Sequence, residues 1–315
     1  MKPAAVLTRL GGGLVVLWLV SLLTFALLQL VPGDPAELVA GDSATPERVA
    51  EIRRQLGLDE PLVSQYFGWL GGIAHGDLGR SVFTGDPVTS AILRAAPATL
   101  SITLVALLIA VVVGVPAGVV AGLRRGSWPD RAVSLVATIG IAMPGFWVAM
   151  LLVLVLGLAL QWLPATGYVS LGRGFGPWLS HVVVPATALG LATGAELARH
   201  ARGCVADVLD RPYIRTALAR GAGPWWLVRH HVLRNAAIPV VTVLGLQAGR
   251  LLGGAIVIEM VCGIDGLGTL AINAILHRDF PILQGYVLLS ATVVVVINIL
   301  VDGAYSWLNP KVRTP

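Results

Sequence analysis

Long apolar runs separated by short charged segments dominate the pattern of this chain. Six runs carry few or no charged residues, and each is long enough to cross a hydrocarbon layer of about 30 Å as a helix. They lie at 10–31, 99–123, 132–158, 182–198, 237–261 and 282–305. The pattern predicts an all-α integral membrane protein with six transmembrane helices. The fourth run is the shortest, because Glu196, Arg199 and His200 crowd its end.

Composition strengthens this prediction. Hydrophobic residues make up 56% of the chain, charged residues make up 12%, and the mean hydropathy is +0.81. This is far from the mix of a water-soluble domain. The pI near 9.7 could suggest nucleic acid, but the arginines lie between the apolar runs and form no basic stripe with aromatic residues. We therefore expect membrane lipid and no nucleic acid as a partner.

Lysine and arginine predict the orientation in the membrane. Fourteen of them lie in the N-terminal segment 1–9, the 124–131 loop, the 199–234 region and the tail 306–315, against seven on the opposite side. Positive residues favour the cytoplasmic side, so both termini are predicted to be cytoplasmic. The first run is too long for the core of a signal peptide, and we expect it to be retained.

Between the first two runs, residues 32–97 predict a small external lobe. This segment carries most of the acidic residues, has helical spacing around 47–56, and is rich in Gly and Pro at 85–87. It has few large apolar side chains, so we expect it to pack on the helix ends rather than fold alone. Its role could be a docking surface for an external protein or a structural cap.

Two of the predicted helices carry glycine every fourth residue. The rows are Gly114, Gly118 and Gly122 in the second run and Gly245, Gly249 and Gly253 in the fifth. Small residues at this spacing let helix backbones approach closely in lipid. The spacing favours tight helix packing, with a substrate groove as the alternative.

Ionisable residues at membrane depth are costly and indicate function. Arg250 lies in the middle of the fifth run, and Glu259 lies near its outer end. They are nine residues apart, so they lie on opposite helix faces about 13 Å apart and cannot pair. Arg250 faces either a polar translocation path or another helix or subunit. Glu196 and His200 are four residues apart and are predicted to pair on one helix.

A basic, Gly-interrupted segment separates the fourth and fifth runs, and its core spans 203–236. A helix is predicted to start at 210–212, with Pro212 in its first turn, and the 221–224 sequence Gly-Ala-Gly-Pro ends it. This short helix is amphipathic. It suits either insertion into a groove of a partner protein or contact with anionic lipid.

A family resemblance favours the protein partner. The segment contains Arg215-Thr216-Ala217, then Gly221, then the 233–239 sequence Leu-Arg-Asn-Ala-Ala-Ile-Pro. It resembles the cytoplasmic coupling motif of ABC-importer permeases of the dipeptide/oligopeptide/nickel group, and the first permease of the pair in particular. Other matching motifs cover nearly the whole chain in the order of that group. They are Pro32-Gly33-Asp34-Pro35, Asp77-Leu78-Gly79-Arg80-Ser81, Trp162-Leu163-Pro164-Ala165, Gly266-Leu267-Gly268, Asp279-Phe280-Pro281, Gln284-Gly285 and Asn309-Pro310.

The resemblance implies a type I importer permease fold, with residues 98–305 as the permease core. It implies a subunit in the bacterial cytoplasmic membrane that pairs with a homologous second permease, binds two ATPase subunits and receives substrate from an external binding protein. The residues it assigns to ATPase coupling are Tyr213, Arg215, Thr216, Ala217, Gly221, Arg234, Asn235 and Pro239. The general motif has Glu where Arg215 stands and a shorter spacing from Gly221 to Pro239, and both departures are usual in the peptide group.

No catalytic or cofactor motif is present. The chain has no phosphate-binding Gly-x4-Gly-Lys loop and no metal-ligand spacing, so ATP and Mg²⁺ are expected on the partner ATPase subunits and no enzyme activity on this chain. Peptides are the expected substrate, with nickel chelates or glutathione as alternatives. A self-contained secondary transporter is a further alternative. Polarity and position suggest four substrate-path residues: Met143, Phe146, Gln247 and Arg250.

Overall fold

The computed structural model describes residues 3–30, 36–37, 45–55, 57–223, 226 and 228–308. Within them the chain is helical, and α-helices are numbered in chain order. They are α1 (Pro3–Gln29), α2 (Pro46–Gln55), α3 (Leu62–Ala74), α4 (Val88–Ile109), α5 (Val115–Leu123), α6 (Trp128–Ala142), α7 (Gly145–Leu152), α8 (Phe175–Leu209), α9 (Pro212–Ala219), α10 (Leu233–Val261), α11 (Leu267–Leu276) and α12 (Phe280–Leu308). π-Helical turns at Ala110–Gly114, Val153–Ala159 and Val228–Val232 adjoin α5, α7 and α10, and Leu171–Arg173 forms a 3₁₀ turn.

Five helical segments are long and apolar enough to cross a membrane: Thr8–Leu27, Val88–Leu123, Phe175–Leu209, Val240–Val261 and Phe280–Ala304. The helix α6 and the segment Gly145–Ala159 pass the same test together but are bent by 99°, so the described residues contain five continuous spans, or six if this bent pair is one crossing. The all-α membrane fold is thus confirmed, but a single third helix over 132–158 is wrong. Met143 precedes Pro144 and is extended, since proline disfavours the helical conformation of the residue before it.

Two other helices are longer than their apolar runs. The helix α8 has 35 residues, although the fourth run covers only 182–198. Its buried face continues through Leu197, Ala201 and Val205 while the charged residues lie outside that face. The helix α4 begins at Val88 and contains Pro97, which transmembrane helices tolerate.

The centre of the bundle is the contact of α8 with the segment formed by α4 and α5. A methyl group on Gly118 would collide with the Ala198 carbonyl group and lie 2.8 Å from the Ala201 Cβ atom. One on Gly122 would lie 2.7 Å from the Val205 Cβ atom. The first glycine row therefore packs backbone against backbone, as predicted.

The second glycine row behaves differently along its length. A methyl group on Gly245 would collide with Val301 of α12, whereas one on Gly253 would have no heavy atom within 4 Å. Gly249 and Gly253 line an open groove of about 650 Å³ between α1, α10 and α12. Tight packing is therefore correct for Gly245 and wrong for Gly253.

Residues 77–87 form a turn that lies on the start of α12, and we call this end of the bundle the lobe end. Ser81 donates its hydroxyl hydrogen bond to Asp279, and the Val82 N–H donates to the same carboxylate at 3.2 Å. Nearby, α3 packs on α1, where the Ser21 and Tyr66 hydroxyls are 2.9 Å apart. The lobe segment packs on helix ends, as predicted. The 32–35 and 309–310 motifs lie outside the described residues.

A buried carboxylate also ties three helices together at the lobe end. Glu259 of α10 is fully buried and accepts hydrogen bonds from the Thr99 hydroxyl at 2.5 Å and the Thr269 N–H at 3.0 Å. The Thr99 oxygen in turn accepts the Leu267 N–H at 2.7 Å. The carboxylate therefore meets the first turn of α11, where free N–H groups and the helix dipole favour an anion. Glu259 thus finds its partners away from Arg250.

The two cysteines lie at opposite ends of the bundle, and both are free. Cys204 lies near the end of α8, whereas Cys262 directly follows α10. Burial raises the pKa of the Cys262 thiol to about 11, so this group stays protonated at neutral pH. A protonated, buried thiol is a poor nucleophile.

We predict that Gly118→Ala destabilises the protein although alanine favours helix. The added methyl group must push α5 away from the α8 backbone, and overpacking of this kind costs about 1–3 kcal/mol. The matched control is Gly203→Ala on α8, where a methyl group meets no heavy atom within 4 Å. Thermal unfolding in detergent should show a lower Tm for Gly118→Ala and an equal or higher Tm for Gly203→Ala. Equal Tm values for the two variants would contradict the close-approach interpretation.

We also predict that Thr99→Val lowers the Tm. The nearly isosteric change removes the donor to Glu259 and leaves the Leu267 N–H unpaired, and an unsatisfied buried group costs about 1–3 kcal/mol. One turn later, Thr103 is buried, and its hydroxyl has no hydrogen-bond partner among the described residues. Thr103→Val should therefore leave the Tm unchanged or raise it. A Tm lower for Thr103→Val than for Thr99→Val would show that the hydrogen bonds of the Thr99 hydroxyl do not determine stability at this site.

Candidate coupling segment and membrane-embedded polar site

The short helix α9 is held on the end of α8 by one apolar contact. Ile214 is 1% exposed and packs on Val205 and Val208, with Ala217 at the edge of the same cluster. Pro212 occupies the first helical position, where its missing N–H has no intrahelical role. The predicted helix start is thus confirmed.

Gly221 ends this helix. Its φ of 81° is in the left-handed region, which glycine adopts without steric cost. The Ala222 N–H donates to the Ala217 carbonyl at 3.1 Å, which is the six-to-one bond of a Schellman cap. The predicted bend at Gly221 is therefore confirmed. Glycine is favoured here by the positive φ and not by a lack of room for a side chain, because an added Cβ atom would meet no heavy atom within 4 Å.

The other face of α9 points away from the protein. Tyr213 is 44% exposed, and Arg215, Thr216 and Arg220 are exposed as well. The Thr216 hydroxyl donates to the Pro212 carbonyl at 3.2 Å, so it is turned back on its own helix. The helix thus offers an arginine-rich surface with one aromatic side chain. Its role in coupling stays a prediction at this point.

A partly buried ion pair stabilises the end of α8 on which α9 docks. Asp130 at the start of α6 accepts two hydrogen bonds from the Arg202 guanidinium of α8, through Nε and, at 2.9 Å, through Nη2. The Gly126 N–H donates to the same carboxylate at 2.9 Å. A bidentate pair fixes orientation as well as distance. The loop between α5 and α6 is therefore fastened to the α8 turn that precedes the α9 contact.

Three further residues assigned to coupling lie at the start of α10. Arg234, Asn235 and Pro239 belong to its helical backbone, but their side chains lie outside the part of the chain that is described.

The four substrate-path residues have different environments. Met143 is half-buried and packs on the central apolar core, and Phe146 is 46% exposed. Gln247 is 5% exposed, and its amide donates to the carboxylate of Glu196 across the α8–α10 contact. Arg250 is exposed. Only Gln247 thus has a specific polar partner among the four.

Glu196 is the residue that sequence reasoning missed. It was interpreted only as one member of a helix-end pair with His200, and the two groups are 3.9 Å apart, which is an ion-pair distance but too long for a hydrogen bond. Its closer partner is Gln247, 51 residues further along the chain. A polar residue in each of two neighbouring apolar spans is the only sequence signal that could have indicated this contact.

Comparison with known proteins identifies the family. Residues 114–314 match the family described as binding-protein-dependent transport system inner membrane component, and residues 4–103 match the N-terminal component of that family. The chain belongs to this family. It is therefore the permease component of a binding-protein-dependent ABC importer, a multi-pass protein of the inner membrane that works with an ATPase and a substrate-binding protein.

Curated relatives match the permease over almost its whole length. It is 39% identical to a probable peptide ABC transporter permease of Sinorhizobium fredii, over 98% of both chains. It is 42% identical to a putative peptide transport system permease of Brucella melitensis, over 99% of both chains. It is 40% identical to the glutathione transport system permease of Escherichia coli strain K12, over 98% of both chains.

Solved structures agree on the fold. A chain of the MetNI methionine ABC transporter, in an inward-facing conformation, matches with a TM-score of 0.56 at 19% identity. The match covers 69% of the permease and 96% of that chain. It confirms the ABC-importer permease fold that the sequence motifs implied.

Proposed function

We propose that this permease forms one half of a translocation pore for peptides. A homologous second permease forms the other half, two ATPase subunits bind on the α9 side, and an external binding protein delivers the cargo. Both termini and α9 are cytoplasmic and the lobe end is external, in agreement with the fourteen positive residues on the α9 side. The permease itself binds no cofactor, and ATP and Mg²⁺ act on the ATPase subunits.

The packing of α9 on α8 is the observation that supports the proposed coupling to the ATPase subunits. Its apolar face is fixed on α8 through Ile214, and its exposed face carries Arg215 and Arg220 and can enter a groove of a partner. Because Arg202 fastens the same end of α8 to Asp130, a force on α9 moves α8 and α6 together. ATP-driven closure of the two ATPase subunits would in this way reach the membrane helices and switch the pore from inward- to outward-facing.

The choice of cargo rests on the relatives. Two of those described above have peptide transport in their names, and the glutathione permease is about as similar. Glutathione is itself a short peptide derivative, and nickel chelates are a further alternative. The external binding protein generally sets selectivity in this class. A test of peptide as the cargo therefore needs the whole importer, including its binding protein.

We predict that Arg215→Glu releases the ATPase subunits. The exposed guanidinium would be replaced by a carboxylate on the docking face, and like-charge or unpaired contacts at an interface disfavour binding. A substitution at Ala217 is a poorer test, because Ala217 packs in the Ile214 cluster and its replacement would also disturb that packing. The tagged permease should be purified in mild detergent and its co-eluting proteins identified. We expect the wild type to recover ATPase subunits and a second permease.

The control is Arg173→Glu, which makes the same charge change at an exposed position on the lobe side. It should leave the ATPases bound, whereas Arg215→Glu should lose them and keep the second permease. A wild-type chain that elutes alone would overturn the proposed assembly. Retention of the ATPases by Arg215→Glu would remove Arg215 from the coupling surface.

We further predict that Gly221→Val uncouples ATP hydrolysis from uptake. A β-branched residue disfavours φ of 81°, so the cap opens and α9 loses its fixed direction. Gly223→Val is the matched control, because Gly223 is not in the left-handed region and a methyl group there meets no heavy atom within 4 Å. Uptake per ATP hydrolysed should fall for Gly221→Val alone. Normal transport by Gly221→Val at normal expression refutes the proposed role of the bend.

A further inference from the structure

Two opposite charges lie at membrane depth without pairing with each other. Arg250 is ten residues from the start of the span Val240–Val261, which is about 15 Å along the helix axis. Glu196 lies on α8 at the level of Gln247. Within the described residues Arg250 forms no ion pair, and the one ionic neighbour of Glu196 is His200 at 3.9 Å. Both groups are partly open to the surroundings of the chain.

Charged side chains at this depth face a partner or a water-filled path, because hydrocarbon does not solvate them. The position of Arg250 around α10 indicates which side it faces. It follows Gln247 by three residues, so it is about 60° around the axis and about 5 Å further along it. Gly245, which packs on Val301 of α12, lies about 160° from Gln247. Arg250 therefore opens beside α8 and Glu196, not toward α12.

Gln247 gives the carboxylate a fixed orientation. Its amide donates to Oε2 of Glu196, while the nearest His200 nitrogen is 3.9 Å from Oε1 and outside hydrogen-bond distance. Oε1 thus keeps its capacity to accept a hydrogen bond. Arg250 is exposed and lies one helical turn from Gln247, on the α8 side of α10.

We propose that Glu196 and Arg250 form a contact site for the two ends of a short zwitterionic peptide in transit. The Glu196 carboxylate binds the terminal ammonium group, Arg250 binds the terminal carboxylate, and Gln247 positions Glu196. Both peptide ends are charged at neutral pH. An extended dipeptide spans about 7 Å, so its two ends can contact two different side chains. This assignment rests on the proposed peptide function and names the residues that read the cargo.

The test uses the complete importer with its binding protein in proteoliposomes. Uptake of radiolabelled dialanine is compared with that of its N-acetylated and C-amidated analogues, restricted to analogues that saturate the binding protein. Arg250→Gln should abolish the preference for the free over the amidated peptide. Glu196→Gln, which keeps the contact with Gln247, should abolish the preference for the free over the acetylated peptide. Each loss should be about tenfold, the effect of one charged hydrogen bond.

Conservative and matched variants make the result specific. Arg250→Lys and Glu196→Asp should restore part of each preference, which a purely structural role would not do. Arg199→Gln removes another exposed arginine of α8, three residues from Glu196, and should change neither preference. ATP hydrolysis stimulated by the binding protein should persist in all of them, since none lies on α9.

Three outcomes would overturn the proposal. Unchanged preferences in Arg250→Gln and Glu196→Gln would show that these side chains do not contact cargo. Equal loss for every analogue, with loss of the second permease on purification, would assign the charges to the subunit interface instead. A wild-type importer that takes up no peptide, while hydrolysing ATP, would refute the proposed cargo itself, and the peptide contact site would fall with it.

Discussion

The close approach of α8 to α4 and α5 is the constraint on which the other features depend. Lipid offers no hydrophobic driving force between helices, so association relies on shape and on short-range contact. Gly114, Gly118 and Gly122 remove the side chains that would separate the two backbones. The helix α8 is thus the central helix of the bundle, with α9 at one end and Glu196 at membrane depth. A displacement at either end of α8 is therefore transmitted to the helices packed on it.

Buried carboxylates are stabilised in three ways along this framework. Asp130 has a bidentate arginine, Glu259 has a hydroxyl and the first turn of α11, and Asp279 has the turn that contains Ser81. In each case the acceptor atoms are satisfied by groups from a different helix or loop. Burial without such donors is costly, so each carboxylate selects one arrangement of its neighbours. These three contacts fix the loops to the bundle at both ends.

The sequence predicted features that depend on local pattern. Apolar runs located the membrane spans, and the order Pro212, amphipathic helix, Gly221 predicted α9 and its cap. It did not reveal the 99° bend, because membrane helices tolerate proline, as at Pro97 and Pro185, so Pro144 in an apolar run does not by itself indicate a break. The contact of Thr99 with Glu259 spans 160 residues, and a threonine in an apolar run carries no sign of its partner. The end of α8 was misjudged because charged residues can continue a helix whose other face stays buried.

The hydrogen bond from Ser81 to Asp279 also has a consequence for how the protein is made. The two residues are 198 positions apart, so the turn at 77–87 is synthesised long before its acceptor exists. At about 5–20 residues per second, a ribosome needs roughly 10–40 s to synthesise the intervening chain. During that interval the lobe segment lacks this attachment. Completion of the last membrane helix is therefore the step that closes the lobe end.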